Sequence, residues 1–381
     1  MSWTIYYSIE QKEANILGCF GLGTSLTLPE EINSCPVVRL GPSCFGDAPD
    51  DAPSGDAVNL VEGPPPQPGA GNSTLKHLTL PRTIREIGDR ALAHCTALVR
   101  LELPPALTRL GQRVFDHCRS LTRVSLPEGL TELPGYAFAD CRSLETLTVP
   151  ETVTAVGSQC FYNCTSLTGL ALPVGLTSIG SGIFMNCSRV KTLSFPAGIN
   201  ASVLLADLYQ KLEVTVYTEG NATRLLFPEY AYEFEDIVMP RQFRTITYGS
   251  GGSYRECITG ERIDLELYDS KFRIARLEET PETVALLALF RLMTPNGLRP
   301  EARERYLTYL KEHIDALGRE IIRRDREEEL EFLLIGCQLE PTHLDQLLAC
   351  AEGQSSPVLV SRILEQKRRL LPSGADKVFD L

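Results

Sequence analysis

The chain has 381 residues, of which 43% are hydrophobic and 23% charged, and a formal net charge of −12 at pH 7. That length holds an extended repeat domain plus one further domain, since single domains usually run ~50–250 residues. The acidic balance argues against a nucleic-acid partner, which is normally met by a basic face, and no apolar run approaches the ~20 residues that membrane insertion requires.

In chain order, "MSWTIYYSIEQKEAN" lacks a basic segment followed by an apolar one, so it is not read as a secretory signal. "GCFGLGTSL" carries Gly18, Gly21 and Gly23 but leads into the strand "LTLP", not a helix N-terminus. A hairpin is therefore predicted there in place of a phosphate cradle. Residues 1–46 are read as an N-terminal capping repeat. Residues 47–73, rich in proline, glycine and acid, are read as a mobile surface loop. Its "PPPQP" has no flanking basic residue and is read as linker.

From 74 to 197 the chain is periodic. Pro81, Pro104, Pro127, Pro150, Pro173 and Pro196 stand 23 residues apart, as do Cys95, Cys118, Cys141, Cys164 and Cys187. A fixed period of this size marks a solenoid, each repeat one coil stacked on the last. Leu101, Val124, Leu147, Leu170 and Leu193, with Leu103, Leu126, Val149, Leu172 and Phe195, alternate with mostly polar neighbours, and proline then closes each run. That is one short half-buried strand per coil in a parallel sheet.

Further columns hold Ile87, Leu110, Leu133, Val156 and Ile179, then Gly88, Gly111, Pro134, Gly157 and Gly180, a bend where a side chain is costly or φ turns positive. Leu92, Phe115, Phe138, Phe161 and Phe184 are packing residues. The cysteines, one per coil, stack as a ladder of reduced thiols acting as small hydrophobes, which fits a reducing compartment. A linear stack does not converge on a tetrahedral zinc centre.

The slot before the cysteine holds His94, His117, Asp140, Asn163 and Asn186. Two imidazoles and a carboxylate there are the sharpest metal candidate in the chain, but a solvated polar turn is the reading adopted and no metal or cofactor is expected. Thr108, Thr131, Thr154 and Thr177 form a column whose hydroxyls are expected to satisfy turn groups. Outward strand slots hold Arg100, Glu102, Arg123, Ser125, Thr146, Thr148, Gly169, Ala171, Thr192 and Ser194, a ribbon basic at one end and hydroxylated at the other. The charged and hydroxylated members are the candidate binding residues.

"IGDRALAHCTALVRLELPPALTRLGQRVFDHCRSLTRVSLP" resembles the BspA-type leucine-rich repeat family. "LTLPEEINSCPVVRLGPSCFG" is similar to the family's atypical first repeat, with Gly41 at the bend and Phe45 in the aromatic slot. The resemblance implies a right-handed leucine-rich-repeat solenoid; with the C-terminal α-helical hairpin domain that the residue pattern gives after it, the fold class is α+β. The resemblance also implies protein binding, with many members acting as surface adhesins of host-dwelling bacteria and protists.

Residues 198–280, where the period fails, are read as a C-terminal cap with a β-rich connection. Residues 281–372 follow as helical hairpins and 373–381 as a tail. "PETVALLALFRLM", "RPEARERYLTYLKEHIDALG", "REIIRRDREEELEFLLIG", "PTHLDQLLACAEG" and "SPVLVSRILEQKRRLLP" are each read as one helix, with Ile321, Ile322, Leu330, Leu333 and Leu334 near one face of the third. The last two are similar to a degenerate ankyrin-like pair without its TPLH phrase. His343, just after Pro341, suits a cap role.

No HExxH, GxSxG or P-loop phrase occurs. The reading is a non-enzymatic protein-protein interaction scaffold using the strand face, with a partner of unknown identity and the cytoplasm favoured. The alternatives are a cell-surface adhesin and, third, an enzyme drawing on Tyr230, Glu233, Glu235 and Asp236.

Overall fold

The computed structural model describes residues 3–21, 23–46, 56–59, 72–235, 244–351 and 357–370; for 56–59, 232–235 and 244–247 it describes the backbone alone. The chain divides into two compact units: Met1–Leu212 with Val216–Glu219 and Ile258–Arg262, and Glu213–Thr215 with Gly220–Cys257 and Ile263–Leu381.

The first unit is a parallel β-solenoid. Its first hairpin pairs Trp3–Glu10 with Glu13–Gly21 through Gln11 and Lys12, both at positive φ. The predicted hairpin at the glycines is therefore displaced: the reversal falls on two left-handed residues ten positions upstream, and the glycines lead on to the strand Ser25–Thr27. Ser25–Thr27 pairs in parallel with His77–Thr79, while Arg39 and Leu40 of Cys35–Leu40 pair with Glu86 and Ile87. The first coil thus stacks directly on the second. Buried Asn72 ties the base of the intervening segment, donating from Nδ2 to the carbonyls of Cys19 at 2.9 Å and Phe45 at 2.8 Å. Within that segment Asp56–Asn59 pairs antiparallel with Trp3–Glu10; residues 47–55 and 60–71, including "PPPQP", lie outside the described residues.

Two short ladders run along the stack rather than the one expected. The predicted one runs Ser25–Thr27, His77–Thr79, Arg100–Glu102 and Arg123–Ser125, then resumes at Gly169–Ala171 and Thr192–Pro196. Between them Thr148 makes only an isolated bridge to Ser125. Its other neighbour presents Gly169 and Ala171, poor strand formers, and the pairing lapses there. The second ladder comprises Glu86–Ile87 with Arg109–Leu110, and Glu132–Leu133 with Ala155–Val156 and Ser178–Ile179.

Glycine follows that ladder because consecutive coils touch through backbone. A Cβ on Gly111 would lie 2.3 Å from Asp89 N and from Gly88 C. Positive φ falls elsewhere in each coil, first on Arg90, Arg113, Tyr136, Gln159 and Gly182, then on His94, His117, Asp140, Asn163 and Asn186. Asn and Asp tolerate this conformation through local hydrogen bonding, which accounts for much of the slot's composition.

Phe115, Phe138, Phe161 and Phe184 stack through the core with centroid separations of 5.2, 5.7 and 5.8 Å. Beside them each thiol donates to a carbonyl of the preceding coil: Cys118 to Leu92, Cys141 to Phe115, Cys164 to Phe138 and Cys187 to Phe161, at 3.0–3.2 Å. The threonine hydroxyls of 108, 154 and 177 donate one coil back at 3.2–3.3 Å. After the last coil Gln210 closes the stack, its Nε2 donating to the carbonyls of Cys187 and Val190.

The second unit is mainly helical: Gly251–Arg255, Leu265–Ser270, Phe272–Glu278, Pro281–Met293, Pro300–Glu312, Ile314–Arg323, Glu327–Gly336, Pro341–Ala351 and Pro357–Leu370. Two predicted helices are broken. The second ends at His313, whose ring stacks on Tyr309 at 4.0 Å, and the third ends before Asp325, which sits at φ 51°. Ile321 and Ile322 therefore sit on one helix and Leu330, Leu333 and Leu334 on the next, all buried. His343 accepts at Nδ1 from the Glu340 N–H at 3.0 Å, a cap contact.

Two charged clusters hold the helices. Arg291, fully buried, donates from Nε and Nη2 to Asp269 at 2.8 Å each, and Tyr306 donates to the same carboxylate at 2.8 Å. Glu329 receives Arg224 at 2.7 Å and Arg326 at 3.1 Å. Burial raises the Glu329 pKa, but the hydrogen bond and charge of Arg224, with Arg326, outweigh it and leave the carboxyl below its ordinary value.

Candidate binding surface

The first ladder turns its apolar residues inward and leaves a polar row outside, as strand alternation demands. Arg100, Glu102, Arg123, Ser125, Thr146, Thr148 and Thr192 are exposed; Ser194 is half-buried. Parallel register sets Arg123 beside Arg100, Ser125 beside Glu102, Thr192 beside Gly169 and Ser194 beside Ala171. The break at Thr146–Thr148 divides the row into a charged part and a small, hydroxylated part.

The row extends further than the sequence reading took it. His77 pairs with Arg100, and Ser25 and Thr27 stand beside His77 and Thr79, all exposed. Their signal was present: Leu75, Leu78 and Leu80 precede Leu98, Leu101 and Leu103 by 23 residues. A shallow groove of about 680 Å³ lies on this charged part, lined among others by His77, Thr79, Arg82, Arg100, Glu102 and Pro105.

The electrostatics of the row are unbalanced. Arg100 and Arg123 are cross-strand neighbours, an arrangement that costs a fraction of a kcal/mol, ~0.2–1. Among the described residues neither guanidinium makes an ion pair. The second ladder differs: Arg39 and Arg109 both approach Glu86, at 3.3 and 3.8 Å, beside a groove of about 530 Å³.

The residues considered for catalysis do not assemble into a described site. Tyr230 is buried, Glu233 and Glu235 lie on the strand Ala231–Glu235 whose glutamate side chains are outside the described residues, and Asp236 is outside them altogether. In the polar slot, His94 and His117 stack at 4.7 Å and Asp116 joins them; His94, Asp116 and His117 are the one group among the described residues able to hold a metal ion. Asp116 was missed, because its column otherwise holds Ala93, Ala139, Tyr162 and Met185.

Residues 70–191 match the BspA type Leucine rich repeat region in six copies. They form a BspA-type leucine-rich repeat solenoid. The match ends before the helices of the second unit. Among solved structures, the Treponema pallidum (T. pallidum) leucine rich repeat protein TpLRR is 25% identical, with 51% of this chain and 71% of that one covered at a TM-score of 0.35. A leucine rich cell surface protein from Faecalibacterium prausnitzii A2-165 is 21% identical, with 58% and 59% covered at a TM-score of 0.37, so this chain spans about three fifths of its length. The pneumococcal vaccine antigen PcpA is 18% identical, with 46% and 51% covered at a TM-score of 0.23. No curated protein matches. No helix among the described residues is long and apolar enough to cross a membrane.

Proposed function

We propose that the chain is a non-enzymatic protein-binding scaffold whose leucine-rich-repeat strand face engages an acidic segment of a partner protein. The observation that carries this is the Arg100–Arg123 pair. Two adjacent guanidiniums on a rigid exposed sheet repel each other in the free chain, and a carboxylate placed between them relieves that repulsion while accepting charge-assisted hydrogen bonds. The groove beside Arg100 admits an extended segment, and Ser125, Thr146, Thr148, Thr192 and Ser194 continue the face with hydroxyl donors and acceptors.

The test is co-precipitation from the native source with wild-type chain and with a charge-reversed Arg100→Glu/Arg123→Glu variant as paired baits. Both substitutions are exposed and relieve nothing inside the core, so the variant keeps the wild-type circular dichroism. A partner held by wild type and lost at least ~10-fold by the variant, with binding weakened by salt, is the expected result. A partner retained equally by both sinks the strand-face reading.

A further inference from the structure

The polar slot of the second and third coils carries donors that the repeat itself does not require. We propose that His94, Asp116 and His117 form a binding site for a divalent transition-metal ion, represented by Zn2+. One ligand atom from each lies within 4.8 Å of the others. Donors sharing one ion stand at most ~4.2 Å apart, twice a bond of ~2.1 Å, so a pair at the 4.8 Å limit closes with roughly 0.6 Å or more of side-chain movement. Two imidazoles and one carboxylate, with water completing the shell, suit zinc, nickel or copper rather than calcium or magnesium.

The backbone fixes the set. His94 and His117 are both left-handed, at φ 62° and 61°. The His94 N–H donates to the Asp116 carbonyl at 2.7 Å and the His117 N–H to the Ala139 carbonyl at 2.9 Å. Both rings therefore project from successive coils in the same direction, stacked at 4.7 Å with 27° between their planes.

Asp116, the carboxylate of the set, is itself held in place, and a second carboxylate outside the set stands behind His117. Asp116, only 6% exposed, turns Oδ1 to His117 Nδ1 at 2.7 Å and Oδ2 to Arg113 Nη1 at 3.3 Å. The other nitrogen of His117, Nε2, lies 3.8 Å from Asp140 Oδ2. Asp140 is itself held by Arg142 at 2.9 Å and Asn163 at 3.2 Å. Carboxylates behind a ligating imidazole fix its orientation and raise its basicity, and such partners commonly tune affinity by ~10–100-fold. A solvated polar turn explains the asparagines of later coils, whose slot needs only to tolerate positive φ. It does not explain a buried acid at 116, where the other coils place alanine, tyrosine or methionine.

The experiment uses the full chain, stripped with chelator and kept reduced, titrated with Zn2+ by calorimetry and with Co2+ by absorption. His94→Asn and His117→Asn are safe replacements because the same slot holds asparagine at 163 and 186. One equivalent of Zn2+ is expected, weakened at least ~10-fold by either substitution and by a smaller factor in Asp140→Asn. Bound Co2+ should show ligand-field bands of nitrogen and oxygen donors without thiolate charge transfer, which separates this site from the chain's cysteines. Failure to take up either ion, uptake unchanged in His94→Asn/His117→Asn, or a thiolate band each overturns the assignment.

Discussion

Truncating Phe138 removes the centre of the aromatic stack, and its cost follows from its neighbours. Phe138 is wholly buried between Phe115 at 5.2 Å and Phe161 at 5.7 Å, with interplanar angles of 21° and 11°. Core Phe→Ala changes cost ~3–5 kcal/mol, and each aromatic pair adds ~0.5–1.5 kcal/mol beyond area burial. With two ring partners lost, Phe138→Ala belongs near the upper end, about 5 kcal/mol by that scale. Phe184, also buried, has Phe161 at 5.8 Å as its single stacked partner among the described residues, so Phe184→Ala should cost less by about one pair, ~1 kcal/mol. The chain's one tryptophan, Trp3, is buried in the first unit, so its fluorescence during urea unfolding reports that unit. A loss under ~2 kcal/mol for Phe138→Ala, or one no larger than that of Phe184→Ala, would refute the reasoning that ring neighbours set the cost.

Three further outcomes follow from the same geometry. Arg291→Met strands the buried Asp269 carboxylate with only the Tyr306 hydroxyl, so the second unit should lose ~3–5 kcal/mol, read as an earlier melting of its helical circular dichroism. Gly111→Ala drives a Cβ into the backbone at Asp89 and Gly88 and should cost ~1–3 kcal/mol, while Gly175→Ala, whose nearest neighbour is 3.7 Å away, should be near neutral by Trp3 fluorescence. Burial pushes the Cys95 and Cys187 thiols up to about 12 from an ordinary 9.0. The unfolded chain therefore loses these protons first. Stability should be constant below pH ~9 and fall by about 1.4 kcal/mol per pH unit for each thiol between the two values, measured as urea midpoints against pH. A midpoint that rises across that range would contradict the buried-thiol account.

The solenoid was legible because its constraints repeat. Proline at 81 to 196, the aromatic column and the cysteines each recur every 23 residues, and a fixed period of that size signals stacked coils. The second ladder escaped because it is two residues long, and alternation over two residues carries no periodic signal. The helix breaks at His313 and Asp325 escaped for a different reason. Neither is glycine or proline; one break coincides with a local stack of His313 on Tyr309 four residues back and the other with a single left-handed residue, both inside a continuous helical pattern.

For the binding face, alternation gave the outward residues but not their neighbours. Which arginine stands beside which depends on parallel register, and the 23-residue period supplied the offset only once the strands were known to pair. Asp116 shows the limit most plainly. As an isolated departure in one column it reads as noise, and it acquires meaning only when the stacked coils bring its carboxylate to His117.

The most direct test of the strand-face account is photo-crosslinking in living cells with a benzoylphenylalanine placed at Ser125, on the exposed row, or at Leu277, which is 83% exposed on the second unit. The account predicts a discrete protein adduct from Ser125 that Arg100→Glu/Arg123→Glu abolishes, and none from Leu277. Adducts from Leu277 with none from Ser125 would contradict it.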